Sequence, residues 1–276
     1  MRALVLAYHS HNITGNEYHN NDHVALEADL LGLTEAGARI VSLDAVVEAL
    51  RKSSIDDSLD DEPCVAITFD DGPVFDVQDF EDRKYGHQRG FANIMEDFRS
   101  RHPGAQPGLQ ATSFVIASPD ARAAMEIECG FQDQGHWLTD SWWHTARGES
   151  LLRVGNHSWD HVHPAVHATA TQSDVRGNFA VVDSYPDARA EISAARQYIE
   201  NVAGVSCQYF AYPFGHTNQY LATNYLPGFQ AEHGAVAAFT TDGRRVRGDE
   251  SIWTIPRVVC GYHWRSPAEL RNLLFG

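Results

Sequence analysis

Residues 64–73 read Cys64-Val65-Ala66-Ile67-Thr68-Phe69-Asp70-Asp71-Gly72-Pro73. An unbroken run of apolar and β-branched residues, without polar alternation, suits a strand buried on both faces. Two adjacent carboxylates then meet a glycine. Neighbouring strand residues face opposite ways, and Gly72 lets the backbone bend so that both carboxylates reach one place. There, one can hold a metal while the other stays free as a base. Read alone, the segment is also an ordinary surface turn, because Asp-Gly is a common turn pair.

The same kind of unit recurs on either side. Leu4 to Ala7, Arg39 to Leu43, Ala111 to Ala117, Leu151 to Val154, Gln208 to Tyr212, Val236 to Thr240 and Ile252 to Val259 all read as strands. Helical patterns alternate with them. Val24 to Ala36 has Leu26, Leu30 and Leu33 on one face, with Gly37 as a stop. Asp44 to Arg51 has Ser42 as a cap, and Pro119 to Glu128 has Ser118 as a cap and proline at its first position. Phe91 to Arg99 and Asp187 to Val202 complete the set, the latter with Ile192, Ala195 and Ile199 aligned. The acidic run Asp56 to Glu62 reads as a surface loop. Alternating strands and helices indicate a parallel sheet, and seven or eight such units favour one barrel-like α/β domain over residues 1–276. In that architecture polar residues at the carboxyl ends of the strands share one rim. His9, Asp70, Asp71, His157 and Pro213 to Gly215 all occupy such positions.

His157-Ser158-Trp159-Asp160-His161 is the second constellation. Two histidines four apart lie on the same face of a helical turn, the spacing of paired imidazole ligands. By itself the pair also fits two solvated loop residues. A zinc-protease motif needs glutamate directly after the first histidine, and Ser158 stands there. Asp71, His157 and His161 together offer two nitrogens and one carboxylate oxygen with positions left open, a catalytic rather than a closed structural metal set.

Composition narrows the function further. The chain has 276 residues, 43% hydrophobic and 21% charged, with 21 Lys and Arg against 37 Asp and Glu, a formal charge of −16. That balance repels phosphate backbones and anionic lipid, so neither nucleic acid nor a membrane surface is an expected partner. The apolar run from Ala3 to Ala7 is too short for a signal peptide, and a cytoplasmic location is expected. Cys64, Cys129, Cys207 and Cys260 are scattered and read as free, buried thiols.

With these motifs in place, the chain resembles the polysaccharide deacetylases, carbohydrate esterase family 4 with its NodB-homology domain. Thr68 to Pro73 resembles the family's first motif, and His157 to His161 its second, His-Ser/Thr-x-x-His. Phe210-Ala211-Tyr212-Pro213-Phe214-Gly215 resembles the third, in the same order along the chain. Tyr8-His9 and Val41-Ser42-Leu43 resemble members whose barrel begins at a different strand. The resemblance implies a distorted (β/α) barrel and a divalent metal, zinc first, with cobalt, manganese or nickel as alternatives. It also implies hydrolysis of an acetamide on an N-acylated sugar, with a small-molecule or oligosaccharide substrate. By resemblance, Asp70 is the general base, Asp71, His157 and His161 are the metal ligands, and the Phe214 backbone N–H is the oxyanion donor.

Departures from the pattern are visible. Ala211 stands where the third motif has an arginine; Arg257 is a candidate replacement, with an ordinary surface arginine as the alternative. The family's Asp-Trp motif is not visible, and its C-terminal Leu-x-His is not clear. Residues 74–156 form a long interval, read as holding an insertion. It contains Trp137, Trp142 and Trp143, candidates for a sugar-stacking lid or for core packing. The departing amine needs a proton, and His9 is preferred as its donor because it directly follows a strand. His263 and, further into its loop, His11 are the rivals. A non-sugar amidohydrolase and a non-catalytic carbohydrate-binding protein are the alternative functions. Intact Asp70, Asp71, His157 and His161 speak against the second.

Overall fold

In the computed structural model, residues 2–55, 62–128, 131, 134–146 and 150–276 are described. Cys129 and positions 56–61 of the acidic run lie outside them. Among the described residues the strands, in chain order, are β1 (Arg2–Tyr8), β2 (Arg39–Ile40), β3 (Pro63–Phe69), β4 (Phe80–Asp82), β5 (Gly86–Gln88), β6 (Ala111–Val115), β7 (Leu152–Asn156), β8 (Tyr209–Ala211), β9 (Ala237–Phe239) and β10 (Val258–Val259). β4 and β5 form a separate antiparallel hairpin. The others make one parallel sheet in the order β10-β1-β3-β6-β7-β8-β9, with β2 beside the first half of β3.

The sheet closes on itself. Ile255 bridges Phe239 of β9 in parallel, and β10, three residues on, pairs with Leu6 and Ala7 of β1. The stretch read from sequence as one strand, Ile252 to Val259, is thus a single-residue bridge and a two-residue strand. Pro256 lies between them and has no N–H to continue a ladder. The result is a distorted (β/α) barrel, as the alternation of elements implies.

The strands run apolar because both of their faces are covered. Ala3, Val5, Cys64, Ala66, Phe114, Ala211, Phe239 and Ile255 cluster together as one set. The alternate residues Leu4, Leu6, Val65 and Ile67 join a second cluster. That cluster includes Leu26, Leu30 and Leu33 of α1 (Asp22–Glu35), and Ile94, Met95 and Phe98 of a later helix. α1 starts two residues before its expected position because the Asn21 side chain accepts the His23 and Val24 N–H groups. Ser42 caps α2 (Leu43–Arg51) through the Ala45 N–H at 3.3 Å. Among the later helices are α3 (Phe91–Arg101), α4 (Pro119–Glu128), α5 (Tyr185–Ala188) and α6 (Ala194–Ala203). α5 and α6 are joined by a π-helical turn, Arg189–Ser193. The 74–156 interval holds the β4–β5 hairpin, a complete barrel unit of α3, β6 and α4, and the stretch carrying the three tryptophans. Cys64, Cys207 and Cys260 are free and buried. No helix among the described residues is long and apolar enough to cross a membrane.

Candidate active site

A cavity of about 520 Å³ opens at the carboxyl ends of the strands. Its walls include His9, Asp70, Asp71, His157, His161 and Phe214. All six side chains singled out from the sequence therefore meet at one place, drawn from the ends of β1, β3, β7 and β8.

At the end of β3 the chain turns sharply. Asp71 and Gly72 have φ of 71° and 70°, the left-handed region that non-glycine residues seldom adopt. A Cβ on Gly72 would lie 2.5 Å from Val115 Cγ1, so glycine is required by space as well as by angle. The turn separates the two carboxylates. Asp70 is held in a two-pronged grip by Arg257, Nη1 to Oδ1 at 2.6 Å and Nη2 to Oδ2 at 2.8 Å. Arg257 is fully buried; it also donates to Thr68 Oγ1 and the Thr240 carbonyl, and lies over the Phe114 ring. The surface-arginine alternative is thereby corrected: Arg257 reaches the barrel interior on the segment that closes the ring, and takes the place left by Ala211. Burial alone would raise the Asp70 carboxyl, but the Arg257 guanidinium and then His157 outweigh it and hold the group below its ordinary range.

Asp71 points elsewhere. Its Oδ1 lies 3.6 Å from Nε2 of both His157 and His161, and the three donors form a compact metal-competent group. Burial opposes ionisation of Asp71 too, and the surrounding imidazoles, His161 first, outweigh it. His157 donates its Nδ1–H to the Ala211 carbonyl at 2.9 Å, which turns Nε2 toward Asp71. Burial, followed by His157, pushes His161 down to about 3. Two imidazole nitrogens and one carboxylate oxygen are donors that a divalent cation takes, and the set fits one.

The two imidazoles converge without a helix, which corrects the helical-turn reading of their spacing. Residues 157–161 form an irregular loop in which Ser158 and His161 have φ of 75° and 64°. Asn156 Oδ1 accepts the Ser158 N–H and Ser158 Oγ accepts the His161 N–H, bonds that a helix would have supplied from its backbone. Phe214, φ 57°, sets its ring 4.3 Å from that of His161. Five of the six described non-glycine residues with positive φ sit at this site: Asp71, Ser158, His161, Val162 and Phe214. Strain concentrated in this way marks functional geometry.

His9 follows β1 directly, and its Nε2 lies 3.9 Å from Asp70 Oδ2. His11 also enters, 3.7 Å from Asp71 Oδ2, and burial lowers its basicity. His163 and His263 complete a ring of imidazoles around the cavity. His263 accepts the Val259 N–H at Nδ1, and burial pushes it down. His163 was not singled out from the sequence; its one signal was its place two residues after His161. Of the three tryptophans, Trp137 lines the cavity, whereas Trp142 and Trp143 pack in the core. A second groove of about 920 Å³ shares His9, His11, Val259 and Tyr262 with the first.

Fold and site together define an α/β barrel with a paired-carboxylate, paired-imidazole centre at the carboxyl ends of its strands. Residues 105–226 match the family model named polysaccharide deacetylase. The matched stretch includes the His157–His161 loop and the Phe210–Gly215 segment, while Asp70 and Asp71 precede it. No curated protein matches the sequence. Among solved structures, the chain is similar to the Streptococcus pyogenes deacetylase PplD in complex with acetate, at 16% identity and TM-score 0.62, over 99% of this chain and 98% of that one. A de-N-acetylase from Aggregatibacter actinomycetemcomitans aligns at 14% identity and TM-score 0.63, over 99% and 100%. IcaB from Ammonifex degensii aligns at 16% identity and TM-score 0.58, over 100% and 97%. At these identities the likeness establishes the shared barrel.

Proposed function

We propose that this protein is a metal-dependent N-deacetylase acting on an N-acetylated oligosaccharide, with Asp71, His157 and His161 as the metal ligands. The observation that carries the reading is the contrast between the two adjacent carboxylates: Asp71 faces the Nε2 atoms of two imidazoles, and Asp70 is locked by Arg257 beside them. A divalent cation held there supplies Lewis acidity toward water and the amide carbonyl. Asp70, ionised and fixed in direction, accepts the proton of the attacking water. The Phe214 backbone, at its left-handed corner beside His161, offers its N–H to the developing oxyanion. His9, 3.9 Å from Asp70, gives a proton to the departing amine. It is favoured over His263 because it directly follows β1 and lies beside Asp70, while burial pushes the His263 imidazole down.

The second groove supports an oligosaccharide over a single sugar. It continues the cavity past Tyr262, which is 76% exposed and presents a flat ring for a sugar to stack on. Acetate release from N-acetylglucosamine oligomers of increasing length, with and without a chelator, tests the reading. Release that rises with length and stops on chelation supports it. Chelator-insensitive release overturns the metal assignment, and equal rates on monomer and oligomer overturn the oligosaccharide.

A further inference from the structure

The π-helical turn Arg189–Ser193 lies outside the cavity and carries Glu191, whose side chain is completely buried. A π turn widens the helix by one residue and releases backbone groups from the regular ladder; such turns occur disproportionately at functional sites. Here the released groups meet the loop that bears the two imidazoles. The Ile192 carbonyl accepts the Asn156 side-chain N–H at 2.9 Å. Glu191 Oε2 accepts the Asp160 N–H at 3.3 Å. One helical turn thus grips the loop at both ends, before His157 and before His161.

Asp160 is the hinge of this arrangement. It is 3% exposed, and both its oxygens accept backbone N–H groups, Val162 at 2.8 Å and Ala170 at 2.5 Å. The Val162 bond closes a turn around His161 and Val162, which have φ of 64° and 46°. A β-branched residue in that region is costly, and the turn persists only where its surroundings hold it. Burial, then the neighbouring Asp160, pushes the Glu191 carboxyl well above the ordinary glutamate range.

We infer that Glu191 is a positioning residue for the metal site: from the π turn it holds the Asp160 backbone, and through Asp160 the left-handed corner that aims His161 at Asp71. The inference rests on the metal-ligand reading above. It concerns a residue that touches neither substrate nor metal.

The test is zinc affinity by competition with a chromophoric chelator, on folded, monodisperse wild type and the variants Glu191→Ala, Glu191→Gln and His161→Ala. Glutamine keeps a carbonyl acceptor of the same length for the Asp160 N–H, so Glu191→Gln should bind zinc like wild type. Glu191→Ala should bind ~10–100-fold more weakly, the usual effect of removing a group behind a metal ligand. Unchanged affinity in folded Glu191→Ala overturns the inference, because a purely structural residue would lower thermal stability alone. Should Glu191→Ala not fold, Glu191→Gln decides by itself. Affinity as low as that of His161→Ala, with the acceptor kept, overturns the positioning role, and wild-type affinity upholds it. If wild type itself binds no zinc, the metal reading fails. Wild-type binding that His161→Ala abolishes and Glu191→Ala preserves removes this inference alone.

Discussion

At the end of β3, two carboxylates are placed by one left-handed turn and one glycine, all within residues 70–72. At the end of β7, two imidazoles hang on a loop whose shape depends on Asn156, Ser158 and Asp160, and on a helical turn some thirty residues further along the chain. The first end is rigid through local covalent geometry, with a single distant clamp, Arg257. The second is rigid only through a buried polar network, in which each group depends on its neighbours. A site of this kind should therefore fail differently when each end is disturbed.

The largest expected effect belongs to the β3 end. Asp70→Asn removes the proton acceptor and leaves the ligand group intact, so turnover should fall ~10²–10⁴-fold with metal content unchanged. Metal analysis alongside single-turnover kinetics checks this; near-normal turnover in a metal-replete variant would make Asp70 structural.

Next comes its clamp. Arg257→Met leaves Asp70 as an uncompensated buried charge, which costs about 3–5 kcal/mol of stability in denaturant melts. With the guanidinium gone, burial pushes Asp70 upward, and the acid limb of the pH–rate profile should move to higher pH. A stable variant with an unmoved limb would show that Arg257 does not set the base.

The smallest effect lies away from both ends and measures the background against which they are compared. Asp29 accepts hydrogen bonds from Tyr8 and Tyr18, and burial pushes it up to about 7. The folded state then binds more protons than the unfolded chain between about pH 4 and 7, so this group makes stability fall as pH rises through that window. The slope is at most about 1.4 kcal/mol per pH unit. Asp29→Asn should flatten that part of the stability curve, measured by urea midpoints at several pH values. An unchanged slope assigns it to other groups, with Asp76, also raised to about 7 by burial, the first to examine.

The same contrast explains what could be read from the sequence. Thr68 to Gly72 was legible because strand, carboxylates and turn are consecutive, and the buried-strand pattern set the rim on which His9 and His157 also emerge. The pairing of His157 with His161 was legible as spacing but misleading as conformation, since the loop's side-chain bonds replace a helix. Arg257 was ambiguous because nothing beside Pro256 shows that a short closing strand turns its side chain inward. Glu191 carried no signal: its neighbours Ile192, Ala195 and Ile199 make an ordinary amphipathic helix, and the π turn that redirects it leaves no local mark. Strand lengths were overestimated wherever the ladder ends before the apolar run does, as at Gln208 to Tyr212 against Tyr209–Ala211.

The closing segment, residues 255–259, joins β9 to β1 across most of the length of the chain and carries Arg257. Such long-range pairing is slow to form, because a large loop must close before any contact rewards it. During synthesis β1 and β3 are complete long before their last neighbour exists, and β1 waits with an open edge able to pair with another chain. Asp70 likewise waits, uncompensated, until residue 257 has left the ribosome. Assembly of the catalytic base and closure of the ring are therefore one late event, and a chain shortened before Ile255 is expected to aggregate rather than fold into a weaker enzyme.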